Sequence, residues 1–101
     1  MKIVINRCYG GFGLSEEAYK FLGLEWDGYG YLTGTKYLGE NMRDEDMRVN
    51  PDIVACAECL GESANGARAE LKVVEIPDDV EWEIEEYDGV EWVSEKHRTW
   101  W

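Results

Sequence analysis

The clearest alternation of apolar and polar positions runs from residue 80 to residue 93. Val80, Trp82 and Ile84 take turns with Glu81, Glu83 and Glu85, and Val90 and Trp92 follow Asp88-Gly89. A period of two places the apolar side chains on one face of a strand. Asp-Gly suits a type I′ turn, because both residues take positive φ at low cost. The pattern predicts a C-terminal β-hairpin with Tyr87 opposite Val90, Glu85 opposite Trp92, Ile84 opposite Val93 and Glu81 opposite Lys96. Its core face carries Val80, Trp82, Ile84 and Val93. Its outer face carries Glu81, Glu83, Glu85, Tyr87, Val90 and Trp92, with Trp92 half-exposed. A slip of one residue would bury the glutamates, so the register is firm.

Earlier segments read less regularly. Lys2 to Cys8 is a β-branched run that predicts a first strand, with Ile3 and Ile5 on one face and Val4 on the other, covered on both sides. The turn Tyr9 to Gly13 ends it. Ser15 then caps a helix with Glu16 and Glu17 in its first turn, a buried stripe of Ala18, Phe21 and Leu22, and Gly23 at its end. Leu24 to Met42 scatters aromatic residues among glycines; a turn at Asp27-Gly28 and a short strand between Tyr31 and Tyr37 are expected. Those aromatics form either a recognition loop or a satellite cluster packed on the sheet. Arg43 to Val49 suggests a single helical turn. Asn50-Pro51-Asp52 starts a second helix, with Ile53, Val54, Ala57 and Leu60 facing the core and Gly61 ending it. Ser63 to Gly66 reads as a loop, Leu71 to Ile76 as a strand and Pro77-Asp78-Asp79 as a turn. The tail from Glu95 to Trp101 extends the last strand or crosses the sheet.

Together these elements predict an α+β fold, residues 1–101 forming one domain: a mainly antiparallel sheet of about four strands with two helices on one face. A chain of 101 residues buries roughly two-thirds of its unfolded surface, enough for a core.

Charge narrows the partners. The chain has 22 acidic and 10 basic residues, a net charge of −12. Nucleic-acid affinity rests on Lys and Arg neutralising phosphates, so direct binding to nucleic acid is not expected, and an anionic membrane surface would repel the chain. No signal peptide or membrane span is expected, which places the protein in the cytoplasm. The acidic balance serves solubility, or it forms a face that competes for a basic site on a partner.

Four groups of residues are candidates for chemistry. Tyr9, Gly10, Gly11, Phe12, Gly13 and Ser15 form a glycine-rich turn between a strand and a helix. Such a turn lets backbone approach a ligand, and the N–H groups at Ser15, Glu16 and Glu17 could hold an anion. The turn is neither G-x-G-x-x-G nor a P-loop, and a tight structural turn with Tyr9 and Phe12 packed down is the competing reading. Cys56 and Cys59, with Cys8 and His97, have the composition of a Cys₃His zinc site. A single C-x-x-C is a weak signal, and buried cysteine is common in a helix that needs small apolar residues. No metal or cofactor is expected, and the three thiols should be reduced. His97 is the single histidine, and pairing with Cys8 or a serine would need the fold to bring them together, so no catalytic residue is assigned. Finally, Arg98 and Trp100 join Glu81, Glu83, Glu85 and Trp92 as candidates for partner binding; alternatively Arg98 pairs with nearby glutamates and Trp100 closes the core.

Two stretches, CYGGFGLS at residues 8–15 and EIPDDVEWEIEEYDGVEWVSEKHRTW at residues 75–100, resemble an uncharacterised group of small proteins from bacteriophages and their bacterial hosts. The resemblance covers roughly residues 1–23 and 71–100, and weakly the helix from Asn50. It implies a phage setting and brings no activity or catalytic residues. Two function classes follow. One is a non-enzymatic phage accessory protein that binds a host macromolecule or counters host defence through its acidic face. The other is a small-ligand or nucleotide-binding protein that sequesters a signalling ligand at residues 9–15. Monomer and homodimer both remain open.

Overall fold

β1 (Lys2–Asn6) lies in the middle of the molecule, covered on both faces. The structure is a computed structural model that describes residues 1–41 and 43–95, and residues 99–100 for their backbone. After β1 come α1 (Glu16–Leu22), α2 (Asp44–Arg48), α3 (Pro51–Leu60), a 3-10 turn (Gly61–Ala64), β2 (Leu71–Glu75), β3 (Glu83–Tyr87), β4 (Val90–Ser94) and β5 (Thr99–Trp100). The fold is α+β.

The strands make two antiparallel sheets rather than the single four-stranded sheet expected. β1 pairs with β2, from Lys2 opposite Glu75 to Asn6 opposite Leu71. β3, β4 and β5 form the second sheet in that order. β1 alternates as a strand buried on both sides should. Val4 joins Leu14, Ala18, Tyr19, Leu32, Met47 and Ile53 in a core beneath the helices. Ile3 and Ile5 join Val74, Ile76 and Val93 in a second core beneath the hairpin, with Val80, Trp82 and Ile84 packed against it. The helices therefore cover one face of the β1–β2 sheet and the hairpin covers the other.

The outer edge of β1 explains why the sheets stay separate. Asn6 N donates to the Glu91 side chain at 2.7 Å, and the Val4 carbonyl accepts from Arg48 Nη1 at 3.2 Å. Side chains thus occupy two of the backbone groups on the edge of β1 that faces away from β2.

The hairpin pairs Tyr87 with Val90, Glu85 with Trp92, Ile84 with Val93 and Glu83 with Ser94. It is shorter than the alternation suggested, since Val80 to Trp82 lie outside the ladder. The expected Glu81–Lys96 pair falls on Lys96, which lies outside the described residues. In the tail, Val93 pairs with Trp100 and Ser94 with Thr99.

Helix ends follow their capping residues. Ser15 Oγ accepts from Ala18 N, and Gly23 is left-handed at φ 74°. Asn50 accepts from Asp52 N, and Pro51 opens α3. The buried stripe of α1 is Ala18, Tyr19 and Leu22, whereas Phe21 is 45% exposed. Tyr19 takes the buried place because its hydroxyl finds two partners inside: it donates to Asp27 at 3.0 Å and accepts from Leu32 N at 2.8 Å.

Residues 24–42 hold no strand among those described. Isolated bridges at Thr33–Leu38 and Thr35–Leu38 replace it. The segment divides its side chains: Leu32 and Tyr37 enter the first core, while Trp26, Tyr29 and Tyr31 remain exposed. No helix among the described residues is long and apolar enough to cross a membrane.

Candidate functional site: a glycine-walled cleft

Part of the glycine-rich turn already has an occupant, the tip of the hairpin. Gly10 N donates to the Asp88 carbonyl at 3.3 Å. A Cβ on Gly89 would lie 2.7 Å from Gly10 N and would overlap Gly11 N, closer than real Cβ atoms come. Gly89 has φ 93° and Asp88 φ 50°, the positive values that the turn type demands. Asn6 Nδ2 locks the tip from below, donating to the carbonyls of Gly89 and Cys8, each at 2.7 Å. The close approach that these glycines allow is used by the chain itself.

Three other residues of the turn are also committed. The Ser15 hydroxyl caps α1 and donates to the Ser63 carbonyl. Ser15 N donates to Ala64 O at 3.0 Å and Leu14 N to Gly30 O at 2.9 Å. These amides hold loops together, so an anion held by Ser15 at the start of α1 is not what the geometry offers. Phe12 lies against the Arg48 guanidinium, 3.8 Å from its carbon to the ring centre. Tyr9 does not pack down as the structural reading expected; it is 70% exposed.

Beside the turn lies an open cleft of about 250 Å³. Its floor is backbone: Gly66 N donates to Gly13 O at 3.0 Å, and a Cβ on Gly66 would come within 2.8 Å of the Gly13 carbonyl carbon. Tyr29 and Tyr31 from one loop, and Ala67, Arg68 and Ala69 from another, also line it. Arg68 is placed by Gly10, where a Cβ would meet the arginine Cβ at 2.6 Å and Cδ at 3.4 Å. Gly10 takes φ 127° to let the arginine stem cross it.

The tyrosine wall is fixed from behind. Asp27 Oδ1 accepts from Tyr29 N and Gly30 N, each at 2.8 Å. These two backbone donors hold the Asp27 carboxyl below the usual carboxylate range. Burial pushes the Tyr19 hydroxyl up to about 12, against the opposing hydrogen bond from Leu32, with the Asp27 carboxylate adding to the rise. Trp26 closes the turn edge-on, its ring centre 5.1 Å from that of Tyr19.

Charge sets this cleft apart. Four other clefts each gather two or three carboxylates, such as Glu81, Glu83 and Glu95, or Asp44, Glu86 and Glu91. The lining of the glycine-walled cleft has none and carries Arg68.

The partner-binding candidates lie elsewhere. Glu81, Glu83 and Glu85 are exposed, and Trp92 is half-buried. Trp92 Nε1 donates to Glu85 Oε2 at 2.8 Å. Arg98 lies outside the described residues, and Trp100 is described only as backbone in β5. Of the cysteines, Cys56 is buried, Cys8 half-buried and Cys59 exposed, so the C-x-x-C pair divides between core and solvent. Burial, with Cys59 nearby, pushes the Cys56 thiol up to about 11. Among the described residues no three His, Cys, Asp or Glu side chains gather as a metal would require. His97 lies outside them.

A buried polar network escaped the sequence reading. Arg48 Nη1 donates to Glu91 Oε1 at 2.6 Å and Nη2 to Oε2 at 2.8 Å, with the Arg48 side chain 3% exposed and that of Glu91 9%. Arg7 Nη1 donates to the Glu91 carbonyl at 2.6 Å. A signal was present: period two puts Glu91 on the same face as Val93, and a carboxylate there needs a cation.

No family model, curated protein or solved structure matches the chain.

Proposed function

We propose that the chain is a non-enzymatic binding protein that captures a small ligand in the cleft between Tyr31 and Arg68. The observation that carries this reading is a carboxylate-free cleft bearing an arginine, on a molecule with a net charge of −12. Concave sites with a few convergent polar groups and aromatic walls are the usual form of ligand pockets. Of the sequence-derived ligand set, Gly10, Gly11, Phe12 and Gly13 contribute to the lining. In the phage setting that the two end motifs suggest, capturing a host signalling molecule in the bacterial cytoplasm counters defence without catalysis. A fragment screen by ligand-observed NMR, followed by amide-shift mapping, tests the reading. Fragments that shift Gly10, Gly13 and Gly66 support it. A screen that leaves these amides unmoved overturns it.

A second reading keeps the hairpin as a docking face for a basic host macromolecule. It is favoured by Glu83, Glu85 and Tyr87 standing exposed along β3, the edge strand of its sheet among the described residues. Replacing Glu81, Glu83 and Glu85 by Lys abolishes association with the host protein in that reading and leaves small-ligand capture unchanged.

A further inference from the structure

Resting on the small-ligand reading, we infer that the cleft takes a planar aromatic anion of about mononucleotide size: one ring system carrying a single phosphate or carboxylate group.

The tyrosine wall selects the ring. Tyr29 is 76% and Tyr31 55% exposed, yet their backbone is held by the Asp27 turn and by Gly30. A Cβ on Gly30 would overlap the Leu14 carbonyl, so this loop is packed backbone to backbone. Exposed rings on a fixed loop offer π-faces without a large ordering cost, and stacking a base on an aromatic side chain contributes about 1–3 kcal/mol.

Arg68 selects the anion. It makes no ion pair among the described residues, although the chain holds 22 carboxylates. No carboxylate in the cleft lining competes for it. A guanidinium fork matches the two oxygens of a carboxylate or phosphate. The net charge of −12 repels polyanions at long range, which favours a ligand whose charge is confined to one end. Size agrees. The cleft of about 250 Å³ falls just under the roughly 300 Å³ at which pockets for drug-sized ligands begin. That is the scale of one ring system with one anionic group.

The test is an NMR titration of the full chain with AMP, adenosine, benzoate and inorganic phosphate, following the amides of Gly10, Gly13 and Gly66. The expected result is that AMP or benzoate binds at least about tenfold more tightly than adenosine and phosphate. Which of the two binds identifies the acid group. Arg68→Gln, which keeps the stem over Gly10, and Tyr31→Leu should each weaken that binding by about tenfold or more while the amide spectrum stays folded. Adenosine binding as tightly as AMP overturns the anionic half of the inference. Phosphate binding as tightly as AMP overturns the aromatic half. If all four probes are silent while fragments still collect in the cleft, the ligand class is wrong and the small-ligand reading stands. If the fragments are silent too, both fall.

Discussion

Replacing Glu91 by Gln removes one charge from the most enclosed ion pair described here and leaves an acceptor for Asn6 N. The Arg48 guanidinium then stays at 3% exposure, with Asp44 Oδ2 at 3.1 Å as its remaining carboxylate partner among the described residues. The Asp44 side chain is 54% exposed, so water screens that pair and its worth is at most about 1 kcal/mol. Breaking a buried pair by removing one partner costs about 3–5 kcal/mol, because the other charge is left uncompensated. A domain of this size is stable by about 5–15 kcal/mol in total. The substitution therefore removes a large share of the stability without any change of volume. With a urea dependence of about 2 kcal/mol per molar, the unfolding midpoint should fall by roughly 2 M. Tryptophan fluorescence during urea titration reads this, since Trp82 packs against the second core. Asp44→Asn serves as the control and should shift the midpoint far less. The double variant Arg48→Met with Glu91→Leu should recover part of the loss. It does not recover all of it, because Asn6 N and the Val4 carbonyl lose their partners at about 1–3 kcal/mol each. If Glu91→Gln and Asp44→Asn behave alike, within about 1 kcal/mol of the parent, the pair is not a buried clamp.

Other predictions follow from single contacts. Gly89→Ala should destabilise by roughly 1–3 kcal/mol from its left-handed backbone alone, and more from the overlap with Gly11; thermal unfolding checks it, and an unchanged midpoint refutes the docking of the hairpin tip. Tyr19, raised above its ordinary value of 10.0 to about 12, is neutral in the folded protein where the unfolded chain would ionise. Its contribution is thus complete below pH 10 and is lost as pH rises towards 12; urea midpoints across that range should fall less steeply in Tyr19→Phe. Asp27, held below its ordinary 3.8, works in the opposite sense. Its contribution is present above that pH and is lost as acid protonates it, which amide shifts of Tyr29 and Gly30 at low pH should report. Glu83→Lys with Glu85→Lys should cost no more than about 1.5 kcal/mol, since both side chains are exposed and the bond from Trp92 Nε1 to Glu85 is what is lost, and should leave ligand binding in the cleft intact.

Much of the local structure was legible in the sequence. Both caps, Ser15 and Asn50, act through their own side chains on amides two or three residues away, a purely local event. The Asp88-Gly89 turn and the pairing of Tyr87 with Val90 follow from backbone preference and alternation, and β1 announced burial on both faces through Ile3, Val4 and Ile5. The arrangement of the sheets was not legible. Whether the hairpin extends the β1–β2 sheet or stacks across it depends on what fills the outer edge of β1. That depends on Arg48, a residue of a short charged helix, reaching a glutamate far along the chain. The candidate site divides in the same way. The glycines at residues 10–13 marked a place of close backbone approach, but not which partner would approach: the hairpin tip on one side and Arg68 on the other. Ser15 looked available for an anion until Ser63 and Ala64 were brought beside it. The tyrosines of residues 24–42 lie in a segment without periodicity, so no pattern separates the buried Tyr37 from the exposed Tyr29 and Tyr31. Capping, turns and alternation are set by neighbours within a few residues, and the sequence by itself determines them. The split sheets, the buried ion pair and the carboxylate-free cleft come from residues tens of positions apart, and only tertiary packing decided them.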